Sequence, residues 1–238
     1  MTAPIDTADS TVARDECDPA TRVTKSLLGY GIISGPLYIV VSLAQAVSRD
    51  GFDLARHQWS LLANGAHGWI QVVNFVVTGV MTIAGAVGLA RALRPGRGAT
   101  WGPRLIGVFG AGVVAAGIFR PDPALGFPVG TPDGPPAMVT LHGTLHFVAA
   151  GVAFGCLAAA CFVLARRFSA EGRRGWTVSS RLVGGVFLAG FAAIASTAGS
   201  VAANIVFIVA VVAVYVWTSA IAADRNRRLG HTASVPAS

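Results

Sequence analysis

The sequence predicts an all-α protein, a polytopic membrane bundle of six transmembrane helices. Three observations lead there. Of 238 residues, 53% are hydrophobic and only 12% charged, with a mean hydropathy of +0.62, whereas soluble domains carry about 25% charged residues. Six stretches come close to or exceed the ~20 apolar residues that cross a bilayer as a helix. The basic residues gather in alternate loops, as they do beside membranes. The net charge of +7 is thus spread over membrane-flanking clusters and not gathered into a nucleic-acid patch. The expected partner is the lipid bilayer, with no nucleic acid.

Residues 1–25 are polar and acidic, with Asp6, Asp9, Asp15, Glu16 and Asp18. A secretory leader would begin basic and continue apolar, so a disordered cytoplasmic tail is expected here. A six-span membrane domain follows over residues 26–223, and a second cytoplasmic tail over 224–238. The spans read as Leu27–Val47, Trp69–Leu93, Trp101–Phe119, Val139–Ala165, Leu182–Gly199 and Val201–Ala222. The third is short unless Arg104 snorkels to the interface. The last two meet in a tight turn at Gly199 and Ser200; as one helix they would run about 60 Å, twice the hydrocarbon core. Cys17 falls in the tail and Cys156 and Cys161 in a span, which suggests neither a disulfide framework nor a zinc knuckle.

Orientation follows from the loops. Fifteen of the 18 basic residues lie in the two tails, around Arg91–Arg104 and around Arg166–Arg181; only Arg49, Arg56 and Arg120 fall on the other side. Positive charge stays cytoplasmic, so both termini are expected inside a plasma membrane. Trp101, Trp176 and Trp217 then fit the inner interface, and Trp59 and Trp69 the outer. The small-residue spacings Gly151/Gly155, Gly107/Ala111/Ala115 and Gly185/Ala189/Ala193 are expected to pack helices within the bundle. The chain also matches itself at an offset of 75, with nine identities over the 35 positions His67–Trp101, among them His67/His142, Arg91/Arg166 and Trp101/Trp176. A duplicated two-helix hairpin is expected from this.

Polar side chains inside a membrane are costly and turn to the bundle interior. Ser34, Tyr38, Ser42 and Gln45 share one face of the first span; Gln71, Asn74 and Thr78 share one face of the second. His142 and His146 stand one turn apart on the fourth, and Ser196, Thr197, Ser200 and Asn204 lie around the last turn. Nearly all fall in the outer half, which predicts a polar cavity open to the outside. Asp53–Asn64 reads as a short interfacial helix with Asp53 as N-cap and Gly65 as terminator, carrying His57, Ser60 and Asn64 on one face. The Pro/Gly-rich loop Arg120–Pro136 reads as irregular and carries Asp122 and Asp133. The candidate pocket is His57, Ser60, Gln71, Asn74, Asp122, His142 and His146.

The runs RHQWSLLANGAHGWIQVVNF, FRPDPALGFPVGTP and LHGTLH resemble the DUF998 family of bacterial six-span membrane proteins, over roughly Tyr30–Ala165 and more weakly beyond. The matching features are His57 with Ser60, Gly68-Trp69 with Gln71 and Asn74-Phe75, Asp122-Pro123, and His142 with His146. Where members of that family carry a Gln/Glu-Arg pair at the start of the sixth span, this chain has Ala203-Asn204. The resemblance implies the fold and topology, and no chemistry.

Three functions stay open. The first is a structural or accessory membrane protein whose polar groups cap helices and hold loops. The second is a metal-dependent transmembrane hydrolase acting on lipid or an amphiphile at the outer face. There His142, His146 and Asp122 would hold a divalent metal such as zinc, the i, i+4 histidines giving chelating spacing. The mixture of His, Asp and Ser loosely resembles the alkaline-ceramidase-like transmembrane hydrolases, which have seven spans and another Ser-to-His spacing. The third is a binder or carrier of a lipid headgroup or small solute; Pro36 is the one hint of the broken helix that ion carriers use. Because His67 and His142 recur in the repeat whereas His146 aligns with Gln71, His146 is the better functional candidate.

Overall fold

The computed structural model describes residues 18–197 and 200–231. Residues 1–17 of the expected tail, Gly199 and residues 232–238 lie outside the described residues. Six helices follow in order: α1 (Pro19–Ser48), α2 (Gly68–Ala92), α3 (Trp101–Ile118), α4 (Leu141–Ala170), α5 (Arg174–Ser196) and α6 (Val201–His231), with a 3₁₀ turn at Trp59–Ala63 before α2. All six are long and apolar enough to cross a membrane. Each expected span has its helix, but several helices outrun their apolar stretch. Residues 19–25, expected in a tail, are the first two turns of α1. Asp18 accepts the N–H groups of Ala20 and Thr21, and Pro19 takes the first helical position, where no N–H is needed. Helix α4 has 30 residues, about 45 Å against a hydrocarbon core of ~30 Å. Helix α1 runs through Pro36 as one helix, so the broken-helix hint is not realised.

The helices pack in chain order, each on its predecessor and successor, and α6 closes the ring on α1. Glycine sets how closely the axes approach. A Cβ on Gly85 would stand 2.6 Å from Gly31 Cα, joining α2 to α1, and one on Gly79 would stand 2.6 Å from the Gly110 carbonyl, joining α2 to α3. A Cβ on Gly184 of α5 would stand 2.8 Å from Cys161 Cβ of α4. The small-residue spacings singled out in the sequence are not these seams. Gly155 and Gly185 have nothing within 4 Å, and Gly151 meets only the tip of Phe191. That expectation is corrected for the α4 and α5 spacings, while a Cβ on Gly107 of α3 would stand 3.9 Å from Ala86 Cβ of α2, an ordinary contact: spacing alone does not say which way a helix face turns.

One end of the bundle carries the described chain ends and the α2–α3 and α4–α5 loops. It is basic and tied by ion pairs. Arg173 bonds both carboxylate oxygens of Asp224 at 2.9 and 2.6 Å, and Glu171 accepts from Arg167 at 2.7 Å and from Arg225 at 2.8 Å. Burial raises the Glu171 carboxyl, but Arg225 and Arg167 outweigh it and hold it below the ordinary 4.5. Arg167 also reaches the Arg97 carbonyl at 3.0 Å and Asn226 the Lys25 carbonyl at 3.3 Å. One network therefore joins the overhanging ends of α1, α4 and α6 to the α2–α3 loop.

The tryptophans divide. Trp69 and Trp101, at opposite ends, are each 63% exposed, as interfacial anchors are. Trp59 and Trp217, expected at the interfaces, are core residues at 4% exposure, and Trp217 donates to Ser180 Oγ at 2.9 Å. Trp101 and its offset partner Trp176 also differ in surroundings: Trp176 is half-buried against Phe168, with ring centroids 5.4 Å apart.

Gly110→Leu is expected to cost about 1–3 kcal/mol or more by overpacking the α2–α3 seam, while Gly155→Leu, in open space, leaves the melting temperature in detergent unchanged. Thermal unfolding of the two purified variants beside the parent checks both outcomes.

Candidate functional site

The opposite end of the bundle carries the α1–α2 and α3–α4 loops, and two sequence-predicted residues hold them. Asp122, 7% exposed, accepts the Thr140 N–H at 3.0 Å through Oδ2 and the Thr140 hydroxyl at 2.6 Å through Oδ1. Thr140 in turn accepts the Gly143 N–H at 3.0 Å as the N-cap of α4. Only glycine fits at 143, because a Cβ there would overlap the Asp122 carboxylate. His57, 2% exposed, receives the Asp53 N–H on Nδ1 at 2.9 Å and gives Nε2–H to the Leu125 carbonyl at 2.9 Å. Both ring nitrogens are spent on backbone, Nδ1 as acceptor and Nε2 as donor. Leu125 sits at φ +58°, in the left-handed region that costs a branched residue about 1–3 kcal/mol. Its N–H donates to the Gly134 carbonyl at 2.8 Å, so the loop holds Leu125 from both sides.

The chain before α2 is not one interfacial helix. Asp53 Oδ1 accepts the Ala55 N–H at 2.8 Å and closes a single turn, after which the separate 3₁₀ turn Trp59–Ala63 begins. Gly65 does end it, at φ +75°. The Arg49 guanidinium clamps this stretch by donating to the Leu62 and Asn64 carbonyls, while lying 4.9 Å from the Phe127 ring centroid.

The polar stripes of α1 and α2 face each other. Gln45 Nε2 donates to Gln71 Oε1 at 2.7 Å, and Gln71 Nε2 to Ser42 Oγ at 3.2 Å. Asn74 Nδ2 reaches Ser42 Oγ at 3.2 Å and the Tyr38 carbonyl at 3.3 Å, and Thr78 donates to Asn74 Oδ1 at 3.3 Å. Gln71 is wholly buried. Apart from Gln45 Oε1, which is buried without a partner, these groups satisfy one another inside a helix pair, which is the requirement on any polar group held in lipid. The expected polar cavity is corrected accordingly: its supposed lining is an interhelical seam.

A cavity of about 230 Å³ does exist at this end, and every helix contributes to its wall. Its lining is chiefly apolar: Phe75 from α2, Val113 and Ala116 from α3, Phe154 from α4, Phe191 from α5, Phe207 from α6. Tyr38 and Tyr215 stack at 4.6 Å beside it, and Trp59, Tyr38, Phe75 and His146 form an arc with successive centroids 5.8, 5.9 and 6.5 Å apart. Of the predicted pocket residues, Ser60, Asp122 and His146 reach this wall; His57, Gln71, Asn74 and His142 do not. His146, 4% exposed, directs Nδ1 to the Phe119 carbonyl at 2.8 Å. His142 is exposed at the first turn of α4, its ring 5.8 Å from that of Phe119.

The metal set His142, His146 and Asp122 is not assembled. Among the described residues no three His, Cys, Asp or Glu side chains are grouped to hold an ion. The donor chemistry agrees: both Asp122 oxygens serve Thr140, and the two imidazoles point to different surroundings. Nor does any described Ser or Cys hydrogen-bond to His146, as an activated nucleophile would.

Residues 32–224 match a family described as "Protein of unknown function (DUF998)". The chain belongs to the DUF998 family. The match runs from within α1 to within α6 and so takes in every wall of the cavity. No curated protein and no solved structure matches this DUF998 chain.

Asp122→Ala is expected to destabilise by about 1–3 kcal/mol, because it strands the Thr140 N–H. Thr140→Ala should cost a similar amount, and the double variant less than the two together, since they break one unit. His142→Ala should fall within about 0.5 kcal/mol of the parent. Denaturation of the four purified variants beside the parent measures all of this.

Proposed function

We propose that this DUF998 protein is a membrane-resident binder of an amphiphile, which it holds with the apolar chain inside the six-helix cavity and the polar end at the loops. The observation that carries this is the lining: aromatic and aliphatic side chains from all six helices around a partly open space, with polar groups at Gln58, Ser60, Asp122 and His146 besides the tyrosine hydroxyls and the Trp59 indole N–H. A volume of about 230 Å³ is below the ~300–1,000 Å³ of sites that enclose a whole drug-sized molecule. It suits one end of a longer ligand whose remainder stays in the bilayer. Phe147 lines the cavity and is also 65% exposed, which makes the pocket-end half of α4 the thin wall toward lipid.

The charge distribution supports a plasma-membrane orientation with the cavity on the outer side and both termini cytoplasmic. A second reading, a structural or accessory subunit, draws on the mutual satisfaction of the α1–α2 polar seam, which serves folding alone.

Native mass spectrometry of the protein purified in mild detergent should show a retained lipid-sized adduct. Ala150→Phe, which adds a ring at the half-buried wall of the cavity, should remove it while the protein stays folded; a bare protein in both cases sinks the binder and leaves the accessory reading. For orientation, single cysteines at Thr131 and Ser169 are labelled in intact cells with an impermeant maleimide. Labelling at 131 and protection at 169 are expected, and the reverse pattern overturns the topology.

A further inference from the structure

The head of the proposed ligand is constrained by which cavity groups remain free to bind it. Asp122 is committed to Thr140 through both oxygens. His146 directs Nδ1 to the Phe119 carbonyl at 2.8 Å, with the Ala116 carbonyl as a second backbone acceptor beside the ring. The Phe119 carbonyl lies at the end of α3, where no further turn supplies a backbone N–H, so the imidazole N–H fills a place the helix leaves empty. A neutral ring that donates from Nδ1 keeps a lone pair on Nε2. Nε2 has no protein partner and is not among the sealed-off polar atoms, although the residue is 4% exposed on the cavity wall. Gln58 and Ser60 line the same cavity, and neither side chain has a partner among the described residues. The free groups at the loop end are therefore one imidazole acceptor, one amide and one hydroxyl, with the Tyr38 and Tyr215 hydroxyls also on the wall.

The lining also lacks any lysine or arginine. An anionic head would enter an apolar space that offers no countercharge and already contains a carboxylate, and an unpaired ion in such a place is strongly disfavoured. Of the guanidiniums in these loops, Arg49 is spent on two carbonyls and the Phe127 ring, Arg56 pairs with Asp133 at 3.1 Å, and Arg120 is exposed and not part of the lining.

We propose that the cavity selects an uncharged, hydroxyl-bearing amphiphile of the acylglycerol or long-chain alcohol class, whose hydroxyl donates to His146 Nε2 and accepts from Gln58 or Ser60. This rests on the amphiphile-binding reading above and adds the identity of the head. It makes His146 a specificity residue that contributes through an acceptor atom, and it excludes phosphate and carboxylate heads by the absence of a cation.

Native mass spectrometry with matched ligands tests it. The full-length protein, stripped of retained lipid in detergent, is offered 1-monooleoylglycerol, oleoyl lysophosphatidic acid and oleic acid at equal concentration. The three share a chain and differ at the head. The monoacylglycerol adduct should exceed each anionic one on the order of tenfold, the ratio that one unmade buried hydrogen bond carries. His146→Phe should narrow the preference by weakening the monoacylglycerol adduct while binding continues; the anionic heads stay weak for want of a cation. His146→Gln, which keeps an N–H for Phe119 and a carbonyl for the cavity, should retain part of the preference and guards against a folding artefact. Equal or stronger binding of lysophosphatidic acid, or a preference unchanged in His146→Phe, overturns the inference while leaving an amphiphile site standing. No adduct with any of the three, in parent as in Ala150→Phe, overturns both.

Discussion

Six helices arranged in a ring, each against its two neighbours, leave an axis that no backbone occupies. In a regular ring of six the axis lies as far from each helix as the helices lie from one another, about 8–10 Å. The gap must be filled by side chains or left hollow. Here α2 also touches α6, which flattens the ring and pushes the hollow toward α3, α4 and α5. Over part of the depth it is filled: Phe154 lies 5.2 Å from Phe187 and 5.7 Å from Phe207, and Phe109 lies 5.7 Å from Tyr215. Above that aromatic floor the filling stops, and the cavity is what remains.

The two ends of the ring are closed by different means, and the difference follows from where charge is tolerated. At the basic end the helices overrun the hydrocarbon and are cross-linked by Arg173, Asp224, Arg225 and Glu171, charges that would be costly a few turns deeper. At the cavity end the closures are short-range and mostly neutral: an imidazole between two backbone segments, a carboxylate on a helix cap, a guanidinium on two carbonyls. Such closures fix loops without filling the space beneath them.

The fold was legible because its cause is one-dimensional. Apolar length marks a span, and Asp18-Pro19 and Gly65 mark their ends by backbone chemistry alone. The site was legible only in part. His146 could be singled out because Gln71 stands opposite it when the sequence is laid over itself at an offset of 75, and the loop histidines could be placed at one end of the bundle. The direction of each side chain could not, because it is set by helix rotation. A stripe of Ser42, Gln45, Gln71 and Asn74 looks the same whether it lines a cavity or meets its counterpart on the next helix. The aromatic lining was overlooked for a related reason: Phe154 and Phe207 on an apolar helix carry no mark that separates a cavity wall from a lipid-facing surface. The glycine spacings misled likewise, since the α1–α2 and α2–α3 seams pair a glycine on one helix with a glycine far away in the chain.

The contact between Asp122 and Gly143 has a consequence for how this chain can vary. The carboxylate fills the volume that any side chain at 143 would need, so the two positions are not independent letters. A relative with alanine at 143 must lack the acid at 122 or carry the α3–α4 loop elsewhere, and a relative with the acid is bound to glycine. The pair, read together, tells from sequence alone whether another chain folds that loop back onto the start of its fourth helix.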